Sequence, residues 1–345
     1  MLPPTDPMIS ELAANAKRRG LVLFLGAGVN GTALPQWEDL LERLLERALS
    51  LLIDRDEGLA DPDTRKQVLK WITAEHDVYA RASLVKALLG ADYLSSLREL
   101  LYDSPGKDGQ LDYSGVWDHL KASLKGTSKA FAFLSAIVEL CQRPEIRAVA
   151  TFNFDNLLET AMKLQVGGNL NLRSAHSIAG QSASSPPPAP RARVAPLPVY
   201  HIHGLVAVDP DELGCEDPHV VFSRDEYLNV ASKSFDWETT TPLHLLRNYC
   251  SLWLGTSLTD WNMLRLVQTA GQPGSNLPCY CLEADEGLHA RNGWSEDVFR
   301  LARRFRATLL EDAGVTVIRS GKGYDSLPDA VKQIAACLGE DSSER

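Results

Sequence analysis

Four short stretches carry side chains fit for chemistry. The first, Gly26-Ala27-Gly28-Val29-Asn30-Gly31, fits the pattern G-x-G-x-x-G. Glycines there permit a tight turn and let backbone N–H groups approach a pyrophosphate. The second is Thr151-Phe152-Asn153-Phe154-Asp155, the third His201-Ile202-His203-Gly204, and the fourth Gly255-Thr256-Ser257-Leu258-Thr259-Asp260. Together they offer backbone amides, a carboxamide, imidazoles and carboxylates. That set suits a phosphorylated ligand held beside a group that moves a proton near neutral pH, since an ordinary imidazole titrates at about 6.5.

Plainer roles exist for each stretch. Asn153 and Asp155 equally suit the cap of a helix starting near Leu157, and Gly255-Thr256-Ser257 suits a capped turn. The glycine turn equally suits a strand-to-helix connection. His201 and His203 would share one strand face, as paired metal ligands do, but no third and fourth ligand at suitable spacing accompany them. His201 suits a packed, hydrogen-bonded histidine. His203, directly before a glycine at a strand end, suits catalysis.

The apolar pattern predicts the elements that hold these groups. Leu21 to Leu25 is a continuous apolar run, which reads as a buried parallel strand. Further strands are expected at Ile146–Phe152, Pro198–Ile202, Val220–Phe222, Ser251–Leu254, Pro278–Leu282 and Val315–Ile318. Helical periodicity marks Ile9–Arg18, Trp37–Leu52, Leu157–Leu164, Asn262–Thr269 and Trp294–Ala313. The expected fold is α/β: a Rossmann-like parallel sheet with helices on both faces and a large all-helical insertion after the first strand. One domain is expected over residues 1–345, with a core of 20–37 and 146–338, the helical insertion at 38–145, and a proline-rich loop at 181–198. The tail from Gly339 is expected to fray. The three later stretches each follow an apolar run, at the strand ends where open parallel sheets bind ligands.

Several functions are disfavoured at once. A dinucleotide dehydrogenase needs a second strand about 20 residues after the glycine turn, ending in an acid for the ribose. The Trp37–Leu52 helix occupies that place, and Asp54 lies at its end. No G-K-[ST] follows the glycines, so the turn is not a Walker loop. Lys+Arg 35 against Asp+Glu 45 gives a net charge of −10, which disfavours attraction to nucleic-acid backbones. Lys17-Arg18-Arg19 and Arg303-Arg304-Phe305-Arg306 read as solvated helix faces. No apolar run nears the roughly 20 residues of a membrane span. Six cysteines form no C-x-x-C, and Cys279 and Cys281 suit one buried strand face. The expected setting is cytoplasmic and reducing, with no leader segment.

In this order the four stretches resemble the signatures of the sirtuin family: a G-A-G turn, T-x-N-x-D, an H-G dipeptide with the catalytic histidine, and G-T-S-L. The resemblance spans roughly residues 20–320, with little similarity between motifs. A deacylase sirtuin carries a serine and then G-I-P-D-F-R after its glycine turn. Here Asn30 takes the serine's place, Pro35 remains, and the Asp and Arg are missing. The cysteine pairs of the zinc ribbon are absent as well. Phe222-Ser-Arg-Asp225-Glu-Tyr227 and Gly255-Thr-Ser-Leu-Thr-Asp260-Trp-Asn262 look like the sirtuin-like NAD hydrolases of bacterial antiphage defence.

That resemblance implies cleavage of the nicotinamide–ribose bond of NAD, bound as substrate, without a metal. It assigns backbone amides of Gly26, Ala27, Gly28 and Val29 and the Gly255-Thr256-Ser257 turn to the diphosphate and adenosine side. Asn30 and Asp260 join them in binding the nucleotide. Asn153 would meet the ribose or the attacking water, and His203 would act as general base. Asp155 would orient neighbours or touch the carboxamide, and Trp37 would cover the nicotinamide pocket. It further implies a homo-oligomer and an activating protein, a HerA-class ATPase or a short Argonaute, docking on the 38–145 helices, with no direct nucleic-acid or membrane contact. A protein deacylase, an ADP-ribosyltransferase and a non-catalytic NAD or ADP-ribose sensor are the alternatives. Intact Asn153 and His203 argue against the sensor.

Overall fold

The structure, a computed structural model, describes residues 6–31, 34–55, 62–102, 114–126, 128–129, 131–166, 172–175, 196–207, 220–233, 236–258, 260–271, 277–284, 295–321 and 323–339. Among the described residues, seven parallel strands form one sheet: β1 (Leu21–Leu25), β2 (Ile146–Thr151), β3 (Leu172–Ala175), β4 (Leu197–His201), β5 (Cys250–Leu254), β6 (Cys279–Glu283) and β7 (Val315–Arg319). Their order is β3-β4-β2-β1-β5-β6-β7. Setting aside the edge strand β3, this is the 3-2-1-4-5-6 order of dinucleotide-binding sheets, so the fold is Rossmann-like α/β.

Burial on both faces explains the unbroken apolar sequence of β1. Leu21, Leu23 and Leu25 enter one core, while Val22 and Phe24 enter the other. Cys279 and Cys281 likewise share one face and Tyr280 takes the opposite one. Phe24 stacks on Trp253 of the neighbouring β5, with ring centroids 4.3 Å apart.

One face is covered by α1 (Pro7–Arg19) and by helices that lie between β1 and β2: α2 (Trp37–Arg55), α3 (Pro62–Glu75), α4 (Val78–Leu89), α5 (Tyr93–Tyr102), α6 (Ser114–Leu124) and α7 (Ala132–Cys141). Leu40, Leu41, Leu44, Leu45 and Ala48 of α2 share a core with the outward leucines of β1, so the helical segment packs on the sheet's own interior. The remaining helices are α8 (Leu157–Val166), α9 (Arg224–Ser232), α10 (Trp237–Asn248), α11 (Trp261–Ala270), α12 (Glu296–Asp312) and α13 (Leu327–Gly339). Leu245 and Leu246 of α10 and Leu266 and Val267 of α11 fill the second core.

The strand order reverses across β1: β2 pairs on one side and β5 on the other. A crevice outside the carboxyl ends of these strands is the topological binding place of such sheets.

Two strand expectations are corrected. Val220–Phe222 joins no strand of the sheet. Its amides are used singly: that of Val221 donates to His203 O at 2.8 Å and that of Phe222 to Glu226 Oε2 at 2.9 Å, beside the Ser223–Glu226 capping box of α9. Conversely, Leu172–Ala175 is a strand without an apolar run, since an edge position does not demand one. Residues 181–195 of the proline-rich loop, the 340–345 tail, Cys215 and Thr259 lie outside the described residues.

Candidate functional site

The ends of β1, β2, β4 and β5 bring all four stretches together. The β1 and β5 ends are stitched directly: the Gly26 amide donates to Leu254 O at 3.0 Å and the Gly28 amide to Gly255 O at 2.8 Å. Glycine is required for this approach. A Cβ on Gly28 would sit 2.8 Å from Gly255 O. A Cβ on Gly255, whose φ is +64, would sit 2.4 Å from Val29 N.

These same bonds correct the predicted amide cradle. Gly26, Gly28 and Val29 spend their N–H groups inside the protein, Val29 on Gly26 O at 3.1 Å. Nor does a long helix follow. Ala27–Asn30 is a single 3₁₀ turn, broken at Gly31 with φ 59, and α2 starts only at Trp37. The glycines therefore serve turn-to-turn contact first, and of the four predicted amides that of Ala27 stands at the half-exposed rim.

At the end of β2, Asn153 Nδ2 donates to Gly26 O at 3.2 Å. Asp155 does two jobs. Its Oδ1 accepts the Leu157 amide at 3.1 Å, capping α8, and its Oδ2 accepts from Asn30 Nδ2 at 2.7 Å. It thus orients a neighbour on the glycine turn. Asn30 Oδ1, in a residue only 3 % exposed, has no partner among the described residues.

At the end of β4 the two histidines separate in role. His201 is fully buried, with Nε2 2.6 Å from Glu159 Oε1, the structural histidine the plainer reading expected. His203, 4 % exposed, is held edge-on between the rings of Phe152 and Tyr227, with centroids 5.0 and 5.1 Å away. Its Nδ1 lies 3.3 Å from Tyr227 Oη.

At the end of β5, Thr256 Oγ1 accepts the Leu258 amide at 3.1 Å, and buried Leu258 adopts φ 48, an uncommon value for a branched side chain. Asp260 Oδ1 accepts the Asn262 amide at 2.8 Å and caps α11. Arg306 of α12 donates to Ser257 O and, through Nε, to Glu283 Oε1 at 2.7 Å, pinning the loop from behind. Ala27, Asn153, Gly255, Thr256 and Asp260 are half-buried and Ser257 is exposed, so together they form the rim of the crevice. Trp37 packs its ring against Phe222 (4.6 Å) and Phe154 (5.9 Å), as part of the wall behind.

Three residues at the site escaped sequence reasoning. Glu159 is the buried partner of His201. Tyr227 lay in a noted segment but without a role. Tyr79, from α4, packs on Tyr227 with centroids 4.8 Å apart, and the Asp260 carboxylate helps to raise its phenol. Only tertiary packing brings these side chains together, and no local pattern marks them.

Burial shapes the electrostatics. It pushes His203 down to about 3, so the imidazole is neutral at ordinary pH and weaker as a base than its unperturbed value implied. Burial also works to lower His201, but the Glu159 carboxylate in contact with it, with Asp155 nearby, reverses the shift and raises it. Burial raises Asp155 and Asp260 against their amide hydrogen bonds.

The two histidines act in separate pH windows. For His203 the unfolded chain binds a proton below about 6.5 that the folded state refuses, so stability falls on acidification toward 3, by up to about 1.4 kcal/mol per pH unit. For His201 the raised folded value contributes stability below about 6.5, which is lost as pH rises through that value. Urea titrations of wild type and His203→Gln from about pH 4 to about pH 8 are expected to converge toward the acid end and to stay parallel above 6.5. Parallel curves throughout would contradict this.

A cleft of about 520 Å3 opens between α4 and α9, lined by Ser83, Lys86, Ser223 and Glu226. None of the predicted site residues lines it. Among the described residues no group of three or more His, Cys, Asp and Glu is placed to hold a metal, and no helix is long and apolar enough to cross a membrane.

Comparison with protein families finds that residues 147–299 match the SIR2-like domain. The matched span holds Asn153, Asp155, His203 and the Gly255–Asp260 loop. The match covers under half of the chain and is a likeness of that segment to the SIR2-like domain of the sirtuin superfamily. A search of curated proteins finds no match.

Proposed function

We propose, from the SIR2-like domain over residues 147–299, that this protein is an NAD+ glycohydrolase that releases nicotinamide and ADP-ribose. The observation that carries this conclusion is the direct contact of the glycine turn with both the Gly255 turn and Asn153, with the His203 ring held against Phe152 of the same β2 end. The crevice they border lies where dinucleotides bind in such sheets. Asn30 adds a second support. A buried acceptor without a donor costs about 1–3 kcal/mol, and a ribose hydroxyl or the carboxamide NH2 group of NAD would satisfy it.

In the proposed reaction the C–N bond to nicotinamide breaks, and the ring leaves neutral with the bonding electron pair. The ribose carbon develops oxocarbenium character, so the attacking water needs little nucleophilic activation. A weakly basic imidazole suffices: neutral His203 orients the water or a ribose hydroxyl and accepts the proton that the water sheds as its C–O bond forms. Asn153 hydrogen-bonds the same ribose or water. The Ala27 amide and the Gly255–Ser257 turn take the diphosphate side, Asp155 acts through Asn30, and Trp37 serves as wall behind the nicotinamide.

The proposal extends to an NAD-depleting effector of antiphage defence, since unregulated NAD loss would kill its own cell and a switch is required. The resemblance points to self-association and to an activating HerA-class ATPase or short Argonaute docking on the helices between β1 and β2. Incubating the protein with NAD at low and high protein concentration, alone and with such a partner, is expected to give nicotinamide and free ADP-ribose in equal amounts. Acyl-ADP-ribose formed with an acyl-peptide would indicate a deacylase, labelled protein a transferase, and tight binding without turnover in every state a sensor.

A further inference from the structure

The geometry points to Tyr227 as the positioning residue that fixes the tautomer of His203, itself held in place by Tyr79 of α4. The inference deepens the proposed reaction and rests on it for the use made of His203.

A neutral imidazole carries one proton, on either Nδ1 or Nε2, and the partner of one nitrogen decides the chemistry left to the other. Among the described residues the ring's hydrogen bond is to Tyr227, at Nδ1. Nε2 is therefore the nitrogen left for a substrate. It accepts a proton only when Nδ1–H donates to Tyr227 Oη. If the phenol donates instead, Nδ1 accepts from it, Nε2 carries the ring hydrogen and Nε2 can accept no proton.

Charge selects between these arrangements. Asp260 is the foremost charge acting on Tyr227, and its carboxylate attracts the phenolic hydrogen. A hydrogen so engaged is not donated to Nδ1, and the phenolic oxygen is left to accept from His203. Tyr79 fixes the arrangement by packing on the Tyr227 ring. Burial keeps both phenols protonated throughout the ordinary pH range, Tyr79 being pushed up to about 12.

The backbone is secured to match. Ser223 and Glu226 close a capping box on α9, which carries Tyr227. Lys86 and Asp77, at opposite ends of α4, pair with Glu226 and Arg224, and the Arg224 amide donates to Ser83 Oγ at 3.0 Å. The helical segment after β1 thereby contributes to the site through α4 and Tyr79. Sequence reading had given it only an outward, partner-binding role.

The test is the tautomer itself, read by long-range 1H–15N NMR on full-length protein labelled at histidine, with the His203 signals assigned by their loss in His203→Gln. Wild type is expected to show Nδ1–H on His203, and Tyr227→Phe, which keeps the ring packing, is expected to shift it toward Nε2–H. Turnover of NAD should fall roughly 10- to 100-fold in Tyr227→Phe with KM changed less than about threefold, as for other outer partners that fix a histidine tautomer. Tyr79→Leu, which removes the ring packed on Tyr227, should lie between the two in both readouts. Nε2–H in wild type, or the same tautomer in wild type and Tyr227→Phe, overturns the inference. The expected shift between wild type and Tyr227→Phe, in a wild type that never cleaves NAD, would leave Tyr227's positioning role standing and remove the proposed reaction.

Discussion

His203→Ala is expected to reduce nicotinamide release by about 100- to 10,000-fold, the range for loss of a positioned proton acceptor. The protein should remain folded. The lost side chain is buried and neutral, and its removal leaves no charge behind. Phe152 and Tyr227 keep their other packing, in the second core and on Tyr79 respectively. Asn153→Ala is expected to give a comparable loss by removing the carboxamide that bonds Gly26 O on the glycine turn. Steady-state rates beside thermal melting curves check both. A His203→Ala protein turning over NAD at the wild-type rate would remove His203 from the chemistry.

Glu159→Ala should destabilise the fold by about 3–5 kcal/mol, the penalty for stripping one partner from a buried ion pair. Glu159 is 3 % and His201 0 % exposed, so water cannot replace the lost carboxylate. His201 would be forced toward its neutral form and the end of β4 would lose its tie to α8. Urea denaturation measures the loss. Replacing both partners, as Glu159→Leu with His201→Phe, should recover most of it, because two apolar groups leave no orphaned charge. A Glu159→Ala protein as stable as wild type would show that the pair contributes nothing to folding.

The central strands were legible because they are covered on both faces, and an apolar run such as Leu21–Leu25 has no other stable place. The strand-end motifs were legible for a related reason. A sheet of this topology presents the residues after each strand at one crevice, so Asn153, His203 and Gly255 could be grouped before any contact was known. Legibility failed wherever a third dimension decided the outcome. Leu172–Ala175 pairs at an edge and needs no apolar signature. Val220–Phe222 looks like a strand, yet its Val221 amide goes to His203 O and its Phe222 amide to Glu226. The glycine turn read as an open amide cradle, but the amides of Gly26, Gly28 and Val29 bond Leu254 O, Gly255 O and Gly26 O inside the protein. The His203 imidazole was assigned its ordinary titration point because burial is not written in the residues beside it. Tyr79 and Glu159 reach the site from other helices and carry no motif at all.

The most direct measurement is a crystal or cryo-EM structure of His203→Ala with NAD, the substitution serving to keep the substrate intact. The expected map places the diphosphate against Ala27 and the Gly255–Ser257 turn, with the nicotinamide-side ribose between Asn153 and the vacated position of the imidazole. A nucleotide bound elsewhere, or a glycine turn so closed by Gly255 that no diphosphate reaches it, would contradict NAD cleavage at this site.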